Sequence, residues 1–159
     1  MAMIKINIPG SDETLAIKHL VLDFNGTLAL DGKIKPGVGE LLIELSRQLQ
    51  IHIVTAGTFG AVENEIQNIP CSLKILSGID QTGQKARYVE ELGARSTACI
   101  GNGRNDRDML ACAALGILVV QEEGAAVASL LAADVLCRDI AEALQLLLHP
   151  LRLTATLRT

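Results

Sequence analysis

Asp23 closes the apolar run that begins at His19 and is followed at once by Phe24-Asn25-Gly26-Thr27. A carboxylate at the end of a buried strand sits at the rim of its sheet, where an ionised oxygen can act as a nucleophile or hold a hard cation. Gly26 lets the backbone turn sharply there and the Thr27 hydroxyl can tie the loop down. The plain structural alternative for these residues is an Asx-type turn. A second apolar run, Ile51 to Val54, ends in Thr55-Ala56-Gly57, a hydroxyl followed by small residues whose amides can face an anion. Lys85 lies near the start of an amphipathic stretch, where its charge opposes the helix dipole unless an anion is close; an exposed surface lysine is the alternative. A fourth segment follows Ile100 and reads Gly101-Asn102-Gly103-Arg104-Asn105-Asp106-Arg107-Asp108. Acids there can cap a helix, yet Gly, Asn and Asp are denser than one cap requires.

The elements that must position these groups read as repeated strand-helix units around a parallel sheet. His19 to Asp23, Ile51 to Thr55, Ala98 to Ile100 and Gly116 to Val120 are short and nearly all apolar, as suits strands buried on both faces. Helices are expected over Val38 to Leu49, behind Pro36, and over Gln84 to Leu92, stopped by Gly93. Others begin near Asn105 and Asp106, cover Ala125 to Ala132, and run from Ile140 to Leu148 behind a cap at Asp139, with Pro150 ending the last. Met3 to Ile8 alternates as an edge strand, and Leu30-Asp31-Gly32-Lys33 is a two-residue hairpin turn. Parallel sheets of this kind gather ligands at the carboxyl ends of their strands, where the segments above fall.

The chain has 159 residues, enough for one domain with a real core. Its 49% hydrophobic and 20% charged residues exclude disorder and disulfide-scaffold classes. A net charge of −4 with three aromatics, Phe24, Phe59 and Tyr88, argues against a nucleic-acid surface. Cys71, Cys99, Cys112 and Cys137 are spaced too widely for a zinc ribbon or thioredoxin-type pair and read as small buried hydrophobes. His19, His52 and His149 have no ligand spacing and read as structural. No signal-peptide pattern and no membrane-length apolar run is present, so the cytoplasm and no membrane partner are expected. One domain is expected over 1–150, with a C-terminal tail over 151–159 held loosely or packed on a neighbour.

The ordered set Asp23-x-Asn25-Gly26-Thr27, strand-Thr55, Lys85 and Gly101-Asn102-Gly103-x-Asn105-Asp106 resembles the haloacid dehalogenase superfamily of phosphoryl-transfer enzymes. In detail it looks most like small soluble relatives of the P-type ATPase phosphorylation domain. The resemblance implies an α/β fold, a Rossmann-like three-layer α/β/α sandwich with a mainly parallel sheet. It implies a Mg²⁺-dependent phosphohydrolase or phosphotransferase in which Asp23 forms an aspartyl-phosphate. By the same resemblance Asp23, the Asn25 carbonyl, Asn102 and Asp106 fall at the metal, Thr55 and the Ala56 amide hold a phosphate oxygen, Lys85 offsets charge, and Asn105 contacts phosphate or orients Asp106. No organic cofactor is implied.

Departures from the pattern matter as much. Superfamily phosphatases carry a second Asp two positions after the nucleophile as general acid and base; here that position is Asn25, whose amide cannot shuttle a proton at neutral pH. Asn102 and Gly57 also stand where relatives have acids. Slow turnover, or a non-catalytic phosphoryl-binding or regulatory protein that retains the fold, is the pair of readings left. Only 28 positions separate Thr27 from Thr55, and 30 separate Thr55 from Lys85, too few for a cap or nucleotide-binding domain. A capless site of this kind is expected to take a phosphorylated macromolecule or to be closed by a second subunit of a homo-oligomer.

Overall fold

The computed structural model describes residues 2–57 and 59–159. Its centre is a six-stranded, all-parallel sheet built from β3 (His19–Asp23), β6 (Gln50–Thr55), β7 (Ser72–Ile75), β8 (Thr97–Gly101), β9 (Leu115–Val119) and β10 (Val135–Cys137). The strands lie in the order β10-β9-β8-β3-β6-β7. Pairing of Leu22 with Ile53 on one side and Ile100 on the other places the ends of β6, β3 and β8 in a row, the crevice where the direction of winding reverses. Asp23, Thr55 and Gly101 are the last residues of those three strands.

Side chains alternate between two cores, as the period of two in a strand requires. Leu20, Leu22, Ile51, Ile53, Ala98, Ile100, Ile117 and Val119 face one, together with α1 (Val38–Leu45) and α6 (Ile140–Leu148). Val21, Val54, Cys99 and Leu118 face the other, against Val89 of α3 (Gln81–Leu92) and Met109 and Leu110 of α4 (Arg107–Cys112). The result is the three-layer α/β/α sandwich expected. Between β3 and α1 there is only the hairpin of β4 (Ala29–Leu30) and β5 (Lys33–Ile34), so among the described residues no cap covers the crevice. Asp31 and Gly32 both have positive φ, the geometry a two-residue turn demands.

Some elements differ from expectation. Met3 to Ile8 does form a strand, but outside the main sheet: β1 (Ile4–Asn7) pairs antiparallel with β2 (Thr14–Ile17) as a separate hairpin. The sheet's two edges, β7 and β10, with α2 (Phe59–Ile66), escape the sequence pattern because they are short and only partly apolar. The segment 125–132 holds only one turn of helix, α5 (Val127–Leu130). Pro150 does not simply end a helix; it opens another, α7 (Pro150–Leu157), at the position where a missing N–H costs nothing. That tail packs on the β1–β2 hairpin through buried Leu153, and the Thr159 amide donates to the Pro9 carbonyl at 2.9 Å. Cys99 and Cys137 are buried and Cys71 and Cys112 partly so, all as free thiols.

Candidate active site

β3 delivers Asp23 to the crevice on the α3 side, the same side as Val21 two residues earlier. α3 starts behind Asp80, whose side chain accepts from the Gly83 amide, and its second turn aims Lys85 at the strand ends. The Lys85 ammonium is 1% exposed, and its three protons have three acceptors: Asp23 Oδ1 at 2.8 Å, Asp106 Oδ1 at 2.7 Å and Asn105 Oδ1 at 3.4 Å. A buried cation survives only when so compensated. Burial pulls the Lys85 pKa down, but Asp23 and Asp106 outweigh it and hold the ammonium above its ordinary range. Burial, and then the nearby Asp106, push Asp23 up to about 7 against the pull of Lys85 and Thr27. Two carboxylates share one positive charge, so the crevice lacks cationic charge.

Asp106 is placed by the loop after β8. Its Oδ2 accepts from the amides of Asn102 at 3.0 Å and Gly103 at 2.9 Å, while Oδ1 faces Lys85. Only glycine fits at 101, since a Cβ there would lie 2.5 Å from the Asp106 carboxyl carbon. Both Asp106 oxygens are thus engaged. The group that reaches the far side of Asp23 is Asn102: the Thr27 hydroxyl stands 3.2 Å from Asp23 Oδ2 and 3.4 Å from Asn102 Oδ1.

Thr55 ends β6 beside Asp23 and exposed Ala56 follows it, and the Gly57 amide donates to Thr55 Oγ1 at 3.0 Å, which leaves the Thr55 O–H free to donate. Asn25 is exposed at the mouth. Asp23, Asn25, Thr55, Ala56, Gly57, Gln81, Lys85 and Asn105 line one cleft of about 350 Å³. A larger groove of about 620 Å³ lies beside β10 and α6, remote from this chemistry. The structure therefore brings the sequence-derived residues together, with Asn102 and Asp106 on opposite sides of Asp23.

No family model matches the chain. It is 42% identical over 78 residues to the uncharacterized protein MJ0073 of Methanocaldococcus jannaschii, covering 46% of this chain and 84% of that one, and it belongs to one family with that protein. Among solved structures it is similar to the 3-deoxy-D-manno-octulosonate 8-phosphate phosphatase of Moraxella catarrhalis, which was solved with magnesium, phosphate and the sugar acid. The TM-score is 0.71 at 17% identity, over 87% of this chain and 90% of that one. The cobalt-bound deoxy-D-mannose-octulosonate 8-phosphate phosphatase of Haemophilus influenzae gives 0.70 at 16% identity, over 87% and 91%. The chain has a haloacid dehalogenase fold, without a cap among the described residues.

Within this haloacid dehalogenase fold, sequence reasoning missed two residues that shape the site. Gln81 accepts from Asn105 Nδ2 at 2.8 Å and lines the cleft; its signal was the four-residue spacing from Lys85, which puts both on one helix face. Gln121, on the loop after β9, donates from Nε2 to the carbonyls of Gly26 at 2.9 Å and Thr27 at 2.7 Å and so braces the turn behind Asp23. Nothing in its sequence surroundings marked it. Among the described residues, no helix is long and apolar enough to cross a membrane.

Proposed function

We propose that this chain is a Mg²⁺-dependent phosphohydrolase or phosphotransferase that works through an aspartyl-phosphate on Asp23. The observation that carries this reading is the buried Lys85 ammonium shared between Asp23 and Asp106 at the head of an open cleft. A carboxylate oxygen of Asp23 attacks the phosphorus of a phosphate monoester or anhydride. The bond from phosphorus to the substrate oxygen breaks, and that oxygen leaves as an anion or takes its proton from water, because the Asn25 amide has none to give. Water, or a second acceptor hydroxyl, then attacks the same phosphorus; the carboxylate returns to Asp23 and the water's proton passes to solvent. Lys85 holds the charge of Asp23 and of the phosphoryl group, and the Thr55 hydroxyl and Ala56 amide bind a phosphoryl oxygen.

The residues fit a small hard cation. Asp23 Oδ2, Asn102 Oδ1 and the carbonyl of Asn25 are oxygen donors of the kind Mg²⁺ takes, and the first two converge on the Thr27 hydroxyl. When bound there, Mg²⁺ supplies charge that ionises Asp23 and neutralises the phosphoryl oxygens. Asp106, with both oxygens engaged, acts through Lys85. The capless, open crevice supports a phosphorylated substrate that brings its own bulk.

The test is phosphate release from acyl, aryl, nucleotide and sugar phosphates, with and without Mg²⁺, beside Asp23→Ala. Release that needs both Mg²⁺ and Asp23, fastest for acyl and aryl phosphates, is expected. Equal release by Asp23→Ala rejects the reading. The exposed amide of Asn25, where proton transfer would be needed, favours a second reading, a phosphoryl-binding or regulatory protein; phosphate binding without turnover across the panel would select it.

A further inference from the structure

The loop 121–124, between β9 and α5, is pinned on every side except one. Gln121 Nε2 donates to the carbonyls of Gly26 and Thr27, while its Oε1 accepts from Lys35 Nζ at 3.0 Å and from the Ile140 amide at 3.1 Å. Glu122 is paired with Lys35 at 2.6 Å. The Gly124 amide closes the turn on the Gln121 carbonyl at 2.8 Å, and the Gly124 carbonyl accepts from Asn102 Nδ2 at 3.2 Å. Glu123 is left exposed, with no hydrogen bond or ion pair to the described residues.

Its backbone is nevertheless held in the turn that Gln121 and Gly124 close, and its carboxylate lies beside Gly26. A Cβ built on Gly26 would stand 2.5 Å from Glu123 Oε2, 2.6 Å from Asn102 Nδ2 and 2.9 Å from Asn102 Oδ1. The Glu123 carboxylate and the Asn102 amide therefore flank one face of the residue that follows Asn25. One proton of Asn102 Nδ2 is given to Gly124, and beside that amide the face carries acceptor oxygens: Asn102 Oδ1, Glu123 Oε2 and, across the Thr27 hydroxyl, Asp23 Oδ2. The single Thr27 proton and one amide N–H do not offset two carboxylates, and that surplus of acceptor oxygen and negative charge is the electrostatic complement of a cation. The charge count agrees. Lys85 neutralises only one of Asp23 and Asp106, so without Glu123 a divalent ion would meet a net charge of about one; with it the site is balanced.

We infer that Glu123 supplies the negative charge that Asn102 cannot, facing the divalent cation between Asp23 and Asn102 from the β9–α5 loop. The inference rests on the proposed metal-dependent reading and assigns the missing acid to a residue 21 positions further along the chain. Gln121 is the brace that holds it there.

The experiment is titration of the metal-free protein with Mn²⁺, following free Mn²⁺ by electron paramagnetic resonance, for wild type, Glu123→Gln, Glu122→Gln, Asn102→Asp and Asn102→Asp/Glu123→Gln. Loss of one charged group near a metal typically costs about 10- to 100-fold in affinity. Glu123→Gln is expected to weaken Mn²⁺ binding about 10-fold or more, and Glu122→Gln by less than about twofold. The double variant is expected to recover wild-type affinity, since it moves the carboxylate from 123 to 102. Because Glu123 is exposed, its replacement leaves folding intact, and circular dichroism melts check this. Wild-type Mn²⁺ binding that is unchanged in Glu123→Gln overturns this inference alone. No Mn²⁺ binding by the wild type overturns the metal reading beneath it as well.

Discussion

Lys85 Nζ lies 2.7 Å from Asp106 Oδ1, with the two side chains 1% and 0% exposed. Such a pair tolerates loss of neither partner, because the survivor stays buried with its charge uncompensated. In Lys85→Met two carboxylates would face one another; the expected cost is about 3–5 kcal/mol. Urea unfolding measures it. A loss below about 1 kcal/mol would mean that water enters the crevice and screens the carboxylates.

Asn25 stands exposed at the mouth of the cleft that Asp23 heads. In the proposed reaction, a carboxyl there would supply a proton donor for the leaving oxygen and a base for water. Asn25→Asp is expected to raise turnover of alkyl phosphates by about 10²- to 10⁴-fold and that of acyl phosphates far less. Steady-state rates for the two substrate classes check the contrast. An equal gain for both would show that proton transfer is not what limits the wild type.

A Cβ on Gly101 would stand 2.5 Å from the Asp106 carboxyl carbon, so Gly101→Ala must displace either the loop or the acid. Overpacking of this kind costs about 1–3 kcal/mol, and here the displaced group is the partner of Lys85. We expect a lower melting temperature together with a kcat loss. A variant that melts lower at full kcat would show that the loop gives way and Asp106 stays in place.

Away from the crevice, His52 Nδ1 lies 2.9 Å from the Tyr88 hydroxyl and Nε2 lies 3.2 Å from His19 Nδ1. Burial, and then His19, lower the His52 pKa to about 4 from an ordinary 6.5. The folded protein binds fewer protons here than the unfolded chain. The stability this affords is complete above about pH 6.5, falls as pH drops toward 4 and levels off below, a loss on the order of 1–3 kcal/mol. Melting temperatures of wild type and His52→Gln across that window test it. A parallel decline in both would place the acid sensitivity elsewhere.

Much of this was legible in the linear chain. The four core strands that the apolar runs marked all form, because strands buried on both faces must be nearly all apolar and little else in a short run is. Asp23 and Thr55 were found by type and place for a related reason, since a strand that ends in a polar residue leaves it at the rim, and Lys85 because a cation near a helix start calls for an anion close by. The partly polar edges β7 and β10 carry no such constraint, and the Pro150 helix is held by packing on a hairpin more than a hundred residues away in sequence.

What tertiary structure alone decided was which groups meet. The sequence listed Asn102 and Asp106 four residues apart in one loop with similar claims; folding turned Asp106 beneath Lys85, both oxygens engaged, and Asn102 toward Thr27 and Asp23. Gln121 and Glu123 belong to no motif and reach the Asp23 loop only because β9 lies two strands from β3 and its following loop crosses back over Gly26. Local periodicity fixes where a side chain stands on its own element. The hydrogen-bond and charge partners that give it a role come from elements brought alongside by the sheet, and their identity is set by packing across the whole chain.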